Sequence, residues 1–216
     1  MKKLILCSIV LVIFTFQYTR SQTIVIRDSL EIEFKKTKEI SNSYLHSSAK
    51  MKKSDHLVRI LVRCDLTALF KQPVDINAFS LIDIENKFRY RIATYFGYKK
   101  GPSLFTHGDL GRPHLKKEVL NKRGKQYKFL PPYDPSVPDS FETYIFEGYT
   151  NIEVPTQYYN LVSGEVVSVK YYSPSQKPKF RADLQFVVIT NQKTPKLALY
   201  YGKEFITEIE LDIAPK

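Results

Sequence analysis

The sequence predicts an all-β protein, an antiparallel sandwich or barrel, and three observations carry that prediction. Short apolar runs alternate with polar residues at a period of two, the spacing that sends successive side chains to opposite faces of a strand. Each run is bounded by Pro, Gly, Asn or Ser, the residues that make turns and end strands. The aromatic share is 13% of 216 residues and consists of 15 Tyr and 14 Phe without Trp, residue types that suit a pleated, half-buried surface. Nine or ten such strands without helical periodicity describe packed or closed sheets.

Ahead of the strands stands a different kind of segment. Lys2 and Lys3 precede an apolar run from Leu4 to Phe16, and Tyr18-Thr19-Arg20-Ser21-Gln22 ends it. A basic end, a short apolar middle and a small residue near the cut are the layout of a secretory signal peptide. A membrane span needs about 20 apolar residues, and this run is shorter and carries Ser8 and Thr15. Cys7 lies inside the run rather than behind it, which argues against lipidation. The expectation is a signal peptide over 1–22 and an exported chain over 23–216, secreted or periplasmic, with no transmembrane span after cleavage. The Ser-Gln ending resembles signal peptides of certain Gram-negative bacteria.

A chain of slightly under 200 residues suits one domain with a full core, and a hydrophobic content of 43% excludes wholesale disorder. Of two cysteines, Cys7 leaves with the leader, so Cys64 has no internal partner for a disulfide. Val58, Ile60, Val62, Cys64 and Leu66 share one face of an alternating segment, and there a free cysteine acts as a small buried hydrophobe.

Taken in order, Thr23–Lys35 reads as a first strand with Leu30, Ile32 and Phe34 on one face. Polar, lysine-rich Thr37–Ser54 reads as a loop. His56–Leu69 is the strongest strand, with Arg59 and Arg63 opposite Cys64. Val74–Ile84 and Phe88–Phe96 form a hairpin around Glu85-Asn86-Lys87, where Asn86 best tolerates a left-handed turn. Gly97–Gly124 breaks the rhythm, with a short helix over His114–Arg123 that starts near Pro113 and stops at Gly124. Prolines 131, 132, 135 and 138 enforce an extended connection. Phe141–Val154, Val166–Tyr172, Phe180–Thr190, Lys196–Tyr201 and Phe205–Ile213 complete the strands.

The order of these segments is similar to one known group. Leu57–Val62 leads to Pro73-Val74-Asp75-Ile76-Asn77-Ala78-Phe79-Ser80-Leu81-Ile82-Asp83 and then Phe88-Arg89-Tyr90, while Ala182–Val188 precedes Pro195-Lys196-Leu197-Ala198-Leu199-Tyr200-Tyr201-Gly202. This pattern resembles the secreted bacterial immunoglobulin-like domains of unknown function grouped with the mycobacterial immunoprotective extracellular protein. The resemblance covers about half of the exported chain and implies an immunoglobulin-like antiparallel β-sandwich with a long basic loop insertion at about 97–128. It carries over no catalytic residues.

The charge is concentrated. The formal net charge is +11, and Lys99, Lys100, Arg112, Lys116, Lys117, Lys122, Arg123, Lys125 and Lys128 stand in the insertion against only Asp109 and Glu118. Clustered lysines and arginines attract phosphate, sulfate or carboxylate polymers, so the insertion is the candidate anion-binding segment, through Lys99, Lys100, Arg112, Lys116, Lys117, Lys122, Arg123 and Lys125. Export removes intracellular nucleic acid and leaves an unknown protein or an anionic envelope component as partner.

Enzyme signatures are weak. His107, Asp109 and His114 are metal-ligating residue types, but their spacing matches no defined motif and the lysines around them repel a cation. Asp83 and Glu85 share a strand face as a glycosidase pair would, yet they flank a turn where acids are expected anyway. Tyr144, Tyr149, Tyr158, Tyr159, Tyr171 and Tyr172 form a Tyr-rich run that suits either sugar stacking or wet strand edges. No Gly-x-Ser-x-Gly, Walker, Cys-x-x-Cys or His-Glu-x-x-His motif occurs. The reading is a non-catalytic interaction module without a cofactor, with anion or glycan binding through the insertion and a loop-based metal-dependent hydrolase as the alternatives.

Overall fold

The alternation in His56–Leu69 becomes the central strand of the molecule. The computed structural model describes residues 23–26, 29–40, 44–46, 49–51, 56–70, 72–98, 113–127, 130–136, 139, 141–152, 156–158, 167, 169–173, 177–190 and 193–211. The expected signal peptide and Lys99, Lys100, His107, Asp109 and Arg112 lie outside them. The strands are β1 (Thr23–Ile26), β2 (Leu30–Ile40), β3 (Tyr44–His46), β4 (Ala49–Met51), β5 (Leu57–Ala68), β6 (Phe79–Asp83), β7 (Phe88–Arg91), β8 (Thr94–Tyr98), β9 (Pro113–Leu115), β10 (Thr150–Ile152), β11 (Thr156–Tyr158), β12 (Val169–Tyr172), β13 (Lys179–Ile189), β14 (Leu197–Tyr201) and β15 (Glu204–Ile209).

One five-stranded sheet has the order β1-β2-β5-β13-β8 and is antiparallel throughout. A second has the order β10-β7-β6-β14-β15 and is antiparallel except where β10 runs parallel to β7. Smaller sheets pair β11-β4-β3 and β12-β9. The fold is therefore all-β, as the alternation requires.

The inward faces of the two large sheets meet in one core. Ile32, Ile60, Val62, Leu66 and Phe186 from the first sheet cluster with Phe79, Leu81, Tyr90 and Leu199 from the second. Cys64 is fully buried among them, and burial pushes its thiol pKa up from the ordinary range. It is a packing residue.

The outer faces are organised differently. On the first sheet, Arg63 lies directly across from Asp183 and Arg181 across from Asp65, each pair joined by two hydrogen bonds. On the second sheet, Ile82 and Ala198 lie level with Arg89, and Ser80 and Tyr200 level with Arg91. That face is covered by the segment around Phe141–Tyr149. Phe141 is buried, and Phe146 meets Tyr200 edge-on at 5.3 Å.

Several local expectations change. Thr23–Lys35 is a hairpin, because Ser29 turns the chain by donating its backbone N–H and its hydroxyl to the Ile26 carbonyl. Thr37–Ser54 is not a plain loop: β2 continues to Ile40, and β3 and β4 follow. His114–Arg123 forms no helix, since Pro113–Leu115 pairs with β12 and the chain then folds back at Asn121–Lys125. Gly124 serves that turn with φ +68°. In the β6–β7 turn the positive φ falls on Lys87, because the Asn86 amide is engaged by Asp83 and Lys193. Phe141–Val154 supplies a covering segment and only the short strand β10.

Candidate functional site

The sequence-predicted residues do not converge. Lys116 is drawn into ion pairs, with its Nζ 3.3 Å from Asp139 and 3.4 Å from Glu142. Lys117 borders a shallow depression of about 20 Å³ with Tyr133. Lys122, Arg123 and Lys125 are exposed together on one tight turn. Its shape is fixed by Asn121, whose side-chain oxygen accepts from the N–H groups of Arg123 and Lys125.

His114 is tied into β9 and does not meet a carboxylate cluster. Its Nε2 is 3.2 Å from the Ser173 hydroxyl, and burial lowers its pKa from the ordinary value. Among the described residues, no group of three His, Cys, Asp or Glu side chains comes together. Asp83 is fully buried. Its Oδ1 accepts from the N–H groups of Glu85, Asn86 and Lys196, and its Oδ2 accepts from the Asn86 amide. With both oxygens so engaged it organises a turn, and its partnership with Glu85 is through that residue's backbone.

The Tyr-rich run has a more informative fate. Tyr149 faces Lys87, with 5.0 Å from Nζ to the ring centroid, and the Tyr172 hydroxyl donates to the Ala93 carbonyl. Tyr144 instead joins Tyr201 in a cleft of about 330 Å³ at the end of the two large sheets. The β1–β2 turn contributes Ile26 and Ser29, and the β14–β15 turn contributes Gly202, Lys203 and Glu204. The size falls within the range of ligand pockets, roughly 300–1,000 Å³.

Each wall follows from local chemistry. The β14–β15 turn needs positive φ, and Gly202 adopts +59° while its N–H donates to the Ala78 carbonyl. A side chain there would crowd Tyr144, because an added Cβ would sit 3.1 Å from that ring, which would have to give by a few tenths of an ångström. Tyr201 packs edge-on against Phe79 at 4.9 Å, and its hydroxyl accepts from the Asp75 backbone N–H. Burial holds its phenol pKa above the ordinary value. Tyr144 lies between two anchors, Phe141 and Phe146, which both pack on Arg89.

No family model, curated protein or solved structure matches this chain. The site therefore stands on its own geometry. Seven large apolar side chains are exposed among the described residues: Val25, Leu69, Phe70, Tyr98, Tyr133, Ile145 and Phe205. None of the seven is a lining residue of the cleft; Val25, Ile145 and Phe205 are chain neighbours of the lining residues Ile26, Tyr144 and Glu204, and the Leu69 N–H donates to the Ser29 carbonyl.

Sequence reasoning singled out Tyr144 but passed over Ser29, Tyr201, Gly202, Lys203 and Glu204. A signal was available in Tyr201-Gly202-Lys203-Glu204, a glycine-centred turn between two strand patterns. Nothing in the sequence places that turn beside Tyr144, some sixty positions away.

Proposed function

We propose that the protein is an exported, non-catalytic recognition module of immunoglobulin-like sandwich architecture that binds its ligand in the Tyr144–Tyr201 cleft. One observation carries the reading: Tyr144 and Tyr201, from separated segments, line a cleft of about 330 Å³ together with the β1–β2 and β14–β15 turns. A concave site of this size, lined by aromatic rings and a few polar groups, is where a ligand is expected to bind. The two-sheet core and the resemblance to secreted immunoglobulin-like domains support the architecture, and the basic leader followed by an apolar run supports export.

The test is a titration of isotope-labelled protein with soluble material from a bacterial envelope. The expected result is a saturable set of amide shifts at Ser29, Tyr201, Gly202, Lys203 and Glu204, with the bound material recovered at unchanged mass. Time-dependent cleavage of that material would replace this reading with a hydrolase.

A second reading has its own observation. Lys122, Arg123 and Lys125 project from one Asn121-stitched turn, which suits an anionic envelope component. It predicts heparin retention that weakens as salt rises and disappears when all three are changed to Gln. Shifts confined to Asn121–Lys125 would favour it over the cleft.

A further inference from the structure

We propose that the cleft takes a neutral carbohydrate, with a pyranose ring stacked on Tyr144 and Tyr201 and its hydroxyls held by the β14–β15 turn; this rests on the reading of the cleft as the recognition site. The juxtaposition of two tyrosines with a neighbouring cation and carboxylate in one cleft selects that chemistry. A sugar ring offers an apolar C–H face edged by hydroxyls, each able to donate and accept. The negative face of a tyrosine ring suits the C–H face. Lys203 supplies donors and Glu204 supplies acceptors, both exposed beside Gly202 in the cleft wall. One of each sign leaves this wall without net charge, which favours a neutral sugar over a sulfated or phosphorylated one.

A long acyl chain fits less well. Burying methylenes against Lys203 and Glu204 would strip water from charged groups without returning hydrogen bonds, a costly exchange. The volume of about 330 Å³ also suits a compact ligand of one or two rings.

The platform is fixed before any ligand arrives. Phe79 and the Asp75 N–H hold Tyr201, and Phe141 and Phe146 anchor the chain on either side of Tyr144. Preorganisation of this kind lowers the ordering cost of binding.

The experiment follows backbone amides of the full exported chain during titration with cellobiose, maltose, N,N′-diacetylchitobiose, palmitate and inorganic sulfate. At least one disaccharide should shift Tyr201, Gly202, Lys203 and Glu204 saturably, without competition from sulfate. Tyr144→Ala should weaken that binding by about tenfold or more and Tyr144→Phe by less than about threefold, tenfold corresponding to 1.4 kcal/mol. Lys203→Ala and Glu204→Gln each weaken it too, and unchanged melting temperatures exclude misfolding as the cause.

Tyr144→Phe losing as much as Tyr144→Ala would overturn the stacking role. If palmitate or envelope material shifts these amides and no disaccharide does, the carbohydrate inference falls while the cleft remains the recognition site. If neither the probes nor envelope material shifts them, both fall together.

Discussion

The guanidinium carbon of Arg89 sits 3.6 Å from the centroid of the Phe141 ring and 5.2 Å from that of Phe146. Arg89 is 1% exposed, and among the described residues its Nε and Nη2 have no hydrogen-bond partner. It packs on the two aromatic faces, with a long approach of 3.5 Å from Nη1 to Asn151. Burial, with Arg91 as a like-charged neighbour, lowers its pKa to about 10. The covering segment is fastened to the second sheet by this stack, and Tyr144 rides on it.

The first prediction concerns that fastening. Phe141→Ala should destabilise the protein by about 3–5 kcal/mol, the usual cost of removing a buried phenyl ring, and should weaken cleft binding by loosening Tyr144. Arg89→Met keeps the packed stem and removes the two unpartnered nitrogens, so its effect should stay within about 1 kcal/mol. Denaturant titration of both variants checks the pair; a mild Phe141→Ala would mean the segment is held by something else.

Gly202→Ala is expected to lower the melting temperature and the cleft affinity together. The left-handed backbone costs a non-glycine residue roughly 1–2 kcal/mol, and the new methyl must displace the Tyr144 ring. Gly148→Ala shares the positive φ, +77°, but has open space around it. It should lower stability alone, and equal loss of binding in both variants would contradict the role of Tyr144.

Across the first sheet, the Arg63–Asp183 pair has Nε 2.6 Å from Oδ1, with the Asp183 side chain 4% exposed and that of Arg63 26%. The hydrogen bond to Asp183 raises the Arg63 pKa. Asp183→Ala should cost about 3 kcal/mol, because it strands the guanidinium beside Arg181. The double variant Arg63→Leu, Asp183→Leu should recover most of that loss, and failure to recover would show that the charges do more than satisfy each other.

The buried thiol of Cys64 should resist a chromogenic disulfide reagent at pH 8 and react only at the rate of global unfolding. Its thiolate is the reactive form, and burial disfavours that form. Rapid labelling of the folded protein would place Cys64 outside the core.

Alkaline stability has a defined sign. Burial holds the Tyr90 phenol above its ordinary pKa of 10.0, so the folded state keeps a proton that unfolded chains release. That contribution is fully present below pH 10 and is lost as pH rises above it. Tyr90→Phe also loses the hydrogen bond from the Ile189 N–H, so wild type should be the more stable at pH 8. The gap should narrow above pH 10, and a gap constant with pH would show that Tyr90 ionises equally in both states.

The strands were legible where one side of the chain faces a core and the other does not. Val58, Ile60, Val62, Cys64 and Leu66 announce β5 because burial demands alternation. The turn after β6 was placed correctly, but its strained residue was not, since the Asn86 amide bonds to distant Lys193. His114–Arg123 misled because Pro113 and Gly124 are signals shared by short helices and by hairpin edges. Pairing with Val169–Tyr172 is a long-range choice that local signals do not contain.

The sequence by itself determined the all-β class, the burial of Cys64 and the concentration of basic residues after Gly97, because period, composition and charge are local properties. The cleft was decided only in three dimensions. Ser29, Tyr144 and Tyr201–Glu204 come from three separated segments, and they meet because two sheets close on one core while the Arg89–Phe141 stack pins the covering segment over Gly202. Spacing along the chain carries no record of that meeting.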